Sequence, residues 1–127
     1  MSERKKVELE LLLKTSPKVL YRMISTPSGL SDWFADNVNV RDDVFTFFWD
    51  GSEESAKLLS TTKDHSIKFQ WDYDEGEDVY FEFRIKIDPI TREVALIITD
   101  FPEEGEEESN RNLWESQFDD LKRVLGA

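Results

Sequence analysis

The sequence contains no cysteine, which excludes disulfides, thiolate zinc sites and cysteine nucleophiles. A single histidine, His65, leaves no imidazole cluster for a metal cage and removes most imidazole-based catalysis. No apolar run approaches the roughly 18 residues of a membrane span, and the opening MSERKKVELE lacks the apolar stretch of a secretory signal. No glycine-rich phosphate loop or Walker pattern is present, so nucleotide chemistry has no support. Bases are also scarce, 16 against 28 acids for a net charge of -12. That balance repels a phosphate backbone and an anionic bilayer alike. The expectation is a cytoplasmic protein with no nucleic-acid partner, no stable membrane insertion, no metal, no cofactor and no catalytic residue. At 127 residues one domain over 1–127 is expected, with enough chain for a real core.

What is present is patterning. Val7, Leu9, Leu11 and Leu13 alternate with Glu8, Glu10 and Leu12, which predicts a strand over Lys6 to Thr15. Ser16-Pro17 and Thr26-Pro27 each place a hydroxyl N-cap before a proline at the first helical position. They predict two short helices, the first carrying Val19, Leu20, Met23 and Ile24, the second Leu30, Trp33 and Phe34. Period-two patterning then predicts strands near Val38 to Arg41, Val44 to Trp49, Ser55 to Thr61, His65 to Tyr73, Val79 to Ile87 and Glu93 to Thr99. Asp50-Gly51, Glu75-Gly76 and Asp88-Pro89 supply hairpin turns. In the strand over 44–49 the alternation leaves two faces open, Phe45, Phe47 and Trp49 or Val44, Thr46 and Phe48. Trp114, Phe118, Leu121 and Leu125 then recur at helical spacing, with Lys122 and Arg123 suiting the C-terminal end of the helix dipole and Gly126 as a stop.

This order resembles the START-like helix-grip superfamily, also called SRPBCC or Bet v-type, which includes START lipid-binding domains, pollen-allergen-like proteins and polyketide cyclases. Ser16-Pro17-Lys18-Val19-Leu20-Tyr21, then Ile24-Ser25-Thr26-Pro27-Ser28-Gly29-Leu30 and Asp32-Trp33-Phe34, are similar to the opening of the branch related to the activator of the heat-shock chaperone ATPase. Ile67-Lys68-Phe69-Gln70-Trp71 resembles that branch's central strand and Trp114 to Leu125 its final helix. The whole looks most like small bacterial START-like proteins. The resemblance implies an α+β helix-grip fold: a curved seven-stranded antiparallel sheet, two short helices after strand 1, and a long C-terminal helix packed on the sheet. It also implies a hydrophobic cavity between sheet and helix. Fold analogy does not settle chemistry.

The residues available to line such a cavity are Trp33, Phe47, Trp49 and Phe69, together with Trp71, Phe81, Phe83, Trp114 and Phe118. An aromatic lining suits a small hydrophobic or aromatic molecule or a lipid. The competing reading is that the rings fill the core. Inward polar groups are few, with Tyr73, Gln117 and Thr99 the available ones, so a polyketide cyclase-like enzyme is the weaker alternative. A protein-interaction domain related to chaperone ATPase activators is the other.

The acidity is localised. Positions 100–108 hold Asp100, Glu103, Glu104, Glu106, Glu107 and Glu108 without a base, 72–78 hold Asp72, Asp74, Glu75, Glu77 and Asp78, and 50–54 hold Asp50, Glu53 and Glu54. These connections follow alternate strands of a meander, so they should meet at one end of the sheet. The expectation is an acidic rim of Asp50, Glu53, Glu54, Asp74, Glu75, Glu77, Glu103, Glu104 and Glu106 that favours a neutral or cationic ligand, or a basic protein partner. Asp72, Asp74, Gly76 and Asp78 mimic the start of a calcium loop, but Phe83 stands where the bidentate glutamate belongs, so the segment reads as a hairpin tip. His65 beside Asp64 and Ser66 reads as a surface or edge residue. Oligomeric state is not legible.

Overall fold

The computed structural model describes residues 4–126. The chain runs β1 (Val7–Leu13), α1 (Pro17–Ser25), α2 (Pro27–Trp33), β2 (Asn37–Arg41), β3 (Val44–Trp49), β4 (Ser52–Thr62), β5 (Ser66–Trp71), a 3-10 turn (Asp72–Asp74), β6 (Phe81–Ile87), β7 (Val94–Asp100) and α3 (Glu107–Leu125). The strands form one seven-stranded antiparallel sheet in the order β1-β7-β6-β5-β4-β3-β2. This α+β arrangement, an antiparallel seven-stranded sheet with two short helices after β1 and a long C-terminal helix, is the one the resemblance implied. No helix among the described residues is long and apolar enough to cross a membrane.

The two short helices start as their caps dictate. The Ser16 hydroxyl accepts from the Val19 N–H at 3.1 Å, and the Thr26 hydroxyl accepts from the Gly29 N–H at 3.0 Å while donating to the Arg22 carbonyl at 2.8 Å. Gly29 is buried against the end of α1, where an added Cβ would stand 2.3 Å from the Arg22 carbonyl oxygen and 2.6 Å from Met23 Cα. Only a residue without a side chain permits that approach.

Register decides which side of each strand is dry. Leu9 pairs with Ile98, Leu11 with Leu96 and Leu13 with Val94, and all belong to the core beneath α1, α2 and α3. On β3 it is Phe45, Phe47 and Trp49 that join this face, whereas Val44 is exposed. Asp50-Gly51 closes a two-residue hairpin between Trp49 and Ser52, with Gly51 at φ +82°, the left-handed geometry such turns require.

Three boundaries differ from the alternation pattern. β5 stops at Trp71 and not at Tyr73, because the following Asp72, Tyr73 and Asp74 wind into a 3-10 turn; aspartate is a poor strand former. Tyr73 therefore leaves the strand face. β6 begins at Phe81 and not at Val79, since the Gln70 side-chain amide takes the carbonyls of Glu77 and Val79 at 2.9 and 3.0 Å in place of a backbone ladder. β4 is longer than expected and carries an irregularity between Leu58 and Ser60 that turns Leu59 outward.

Candidate functional site

The concave face of the sheet carries a continuous stack of rings. Phe69 lies 5.0 Å from Phe81 and 4.9 Å from Phe45, and Phe83 lies 5.6 Å from Trp33 and 5.8 Å from Trp114. Phe34, the residue after α2, stands in the middle, 5.0 Å from Phe47, 5.6 Å from Trp49 and 5.7 Å from Trp114. These separations are those of packed aromatic pairs.

At the end of the sheet where β3, β5 and β7 finish, the stack opens into a cleft of about 480 Å³, within the range of small-molecule sites. Trp49, Trp71 and Tyr73 form its sheet side, with Phe34 beside them; Leu113, Trp114 and Gln117 of α3 stand opposite; Asp100, Phe101, Pro102 and Glu103 form the near edge.

Local chemistry holds these walls in place. The carbonyl of Phe34 accepts from Trp49 Nε1 at 2.9 Å and from Gln117 Nε2 at 3.0 Å. It is available because the last carbonyls of a helix have no intrahelical partner. Asp100, at the end of β7, points toward α3 and accepts from Trp114 Nε1 and Asn110 Nδ2, both at 2.9 Å, and from the Phe101 N–H at 2.8 Å. It thus fixes the indole of Trp114 and neutralises the cost of its own desolvation with three donors.

Arg4 reaches across the same end. Its guanidinium meets the buried Asp74 at 2.5 Å, lies 3.6 Å from Glu77 and donates to the Phe101 carbonyl at 3.5 Å. The hydrogen bond to Asp74 raises the Arg4 pKa further above its ordinary value. Partial burial and then the charges of Glu54, Asp74 and Asp100 push the Tyr73 phenol upward, with Arg4 opposing. Because 61% of Tyr73 remains exposed, water tempers that shift.

Of the aromatic residues singled out from the sequence, the structure places Trp49, Trp71 and Trp114 on the cleft wall. Trp33, Phe47, Phe69, Phe81, Phe83 and Phe118 lie outside this lining, at most 5% exposed, packed into the core. Of the acidic residues, Glu54, Asp74 and Glu103 reach the cleft, so the three acidic connections do meet at one end. Glu77 stays near through Arg4, while the Asp50 N–H is held by Asp36 and Glu53 faces the convex side opposite Phe48. Glu75, Glu104 and Glu106 are not part of the lining. Tyr73 and Gln117 face the cleft, but Thr99 does not. Pairing with Glu8 and Glu82 puts Thr99 on the convex face, where its hydroxyl lies 3.3 Å from Glu8.

Phe34, Asp100, Asn110, Leu113 and Arg4 are among the lining residues not assigned to the site from the sequence. Alternation along β7 marks Asp100 as an inward acid, but Arg4 lies outside any periodic pattern. A second concavity, about 700 Å³, lies on the convex side of the sheet, lined by His65 with Asp64, Glu8, Arg84 and Lys86. It is open and charged, His65 itself is exposed, and no Phe, Tyr or Trp lines it. Among the described residues no group of three or more histidine, aspartate or glutamate side chains is placed to hold a metal ion.

A family model for the START-like superfamily domain matches residues 1–127. A Bacteroides fragilis protein solved by solution NMR is 39% identical, with 96% of this chain and 91% of that one covered and a TM-score of 0.67. The Aha1 dimer of Colwellia psychrerythraea shares 15% identity over 95% of this chain and 96% of that one, at a TM-score of 0.79. CalU16 from Micromonospora echinospora shares 14% over 96% of this chain and 74% of that one, at 0.73. The last two similarities are of fold alone. No functionally curated protein matches the chain.

Proposed function

From a chain that belongs to the START-like superfamily, we propose a non-enzymatic binding protein that takes a small hydrophobic or aromatic molecule, or the apolar part of a lipid, in the cleft between the open end of the sheet and α3. The observation that carries this reading is the set of indole rings at the cleft. Trp49, Trp71 and Trp114 reach it from β3, β5 and α3, and two of them are oriented by hydrogen bonds from their ring nitrogens to Phe34 and Asp100. Rings held in this way have already lost their rotamer freedom, so a ligand stacking on them does not have to supply it. The interior behind them is filled by rings, so the ligand is seated at the end of the core and does not thread through it.

Native mass spectrometry and solvent extraction of freshly purified protein test the reading directly, with a stoichiometric small molecule as the expected result. Trp71→Ala separates wall from core. Trp71 is half-buried, lying 4.7 Å from Phe81 and 5.9 Å from Tyr73. Its removal should abolish binding at a cost of about 1 to 2 kcal/mol. A loss of about 3 to 5 kcal/mol, the range for core truncation, with binding retained, would refute it.

A further inference from the structure

The cleft carries a feature that an apolar site does not need. β4 pairs with β3 so that Glu54 stands opposite Phe47 and Ala56 opposite Phe45, which puts the Glu54 side chain on the ring-bearing face of the sheet. Glu54 lines the cleft beside Trp49, Trp71 and Tyr73. Among the described residues it has no hydrogen-bond or ion-pair partner. Asp74 is answered by Arg4, whereas the three donors to Asp100 are neutral, so Glu54, Asp100 and Glu103 leave the site net negative. Glu54 is exposed at the cleft mouth, where a cation seated over these rings can meet it.

Resting on the binding reading above, we infer that the ligand is an organic cation: an ammonium or amidinium group on an apolar or aromatic body, its charge set over the faces of Trp49, Trp71 and Tyr73 and against Glu54. Indole faces attract cations through the ring quadrupole. The cleft holds Glu54, Asp74, Asp100 and Glu103 against the single base Arg4, so the field over these rings is negative and disfavours a carboxylate or phosphate of the same body. The apolar body stacks between the indoles of the sheet and Trp114.

Three probes with one aromatic body and different charge test this: 2-naphthylmethylammonium, 2-naphthylmethanol and 2-naphthoate, titrated into the full chain while the indole N–H resonances of Trp49 and Trp114 are followed by NMR. Trp33, whose Nε1 donates to the Met23 carbonyl at 2.8 Å outside the cleft, is the internal control. The cation should bind tightest and the anion weakest. Glu54→Gln should weaken the cation about ten-fold, a typical effect for one nearby charge, and leave the alcohol unchanged. Salt should weaken the cation and not the alcohol, since the Debye length shrinks from about 10 Å at 0.1 M to about 3 Å at 1 M. Equal affinities, or the anion binding tightest, would overturn the charge assignment while the cleft reading stands. No shift at either indole with any probe would overturn both.

Discussion

Tyr73 joins the two chemical characters of the cleft in one side chain. Its ring is stacked on Trp71 at an interplanar angle of 9°, and its hydroxyl lies in the field of Glu54, Asp74 and Asp100. Partial burial and those carboxylates favour the neutral phenol, so the folded-state pKa is raised above the ordinary value near 10. The sign follows from linkage: the folded state holds the proton more tightly, so this contribution is fully present below about pH 10 and is lost as pH rises toward the folded-state value. A spectrophotometric titration near 295 nm should show a late-ionising tyrosine that disappears in Tyr73→Phe. If the substitution removes instead an absorbance step centred near pH 10, the carboxylates do not converge on this hydroxyl. Expecting Tyr73 to continue the strand face assumed that alternation persists to the end of a run. Asp72 and Asp74 end it, and the turn carries the ring to the cleft mouth.

The paired short helices show how an element can be set by a few atoms. Thr26 terminates α1 through its backbone N–H and hydroxyl, both directed to the Arg22 carbonyl, and starts α2 by accepting from Gly29. Ser16 performs only the second kind of task, for α1. Replacing an N-cap hydroxyl by alanine costs about 1 kcal/mol. Thr26→Ala should therefore lose more than Ser16→Ala, about 1.5 to 2 kcal/mol against about 1, in urea unfolding. Equal losses would mean that the donation to Arg22 contributes nothing. The position of α2 matters beyond its own stability, because its last carbonyl, at Phe34, anchors Trp49 and Gln117. A cleft binder should thus lose affinity in Thr26→Ala even though Thr26 touches no part of the site.

For the whole molecule, charge is the dominant asymmetry. With a net charge of -12 and Glu54, Asp74, Asp100 and Glu103 around one cleft, self-repulsion opposes the compact state. Much of it acts across distances comparable to the Debye length of roughly 8 to 10 Å near physiological ionic strength. Added sodium chloride should therefore raise the Tm, and Glu54→Gln should reduce that salt dependence. A flat response in the unmodified protein would show that Arg4 and solvent already compensate the cluster.

The order of elements, the two capped helices, the face of α3 and the meeting of acidic connections at one end were legible in the sequence. Each depends on local periodicity, on cap and turn chemistry, or on the parity of a meander, all of which act over a few residues. Which rings form a wall and which fill the core was not legible, because Phe47 and Trp49 share one face of one strand and differ only in what lies over them. The placement of Phe34, α3 and Arg4 decided that. Covering a ring depends on contacts between segments far apart in the chain, so no window of residues contains the information. Arg4, held to Asp74 seventy positions away, is the clearest case.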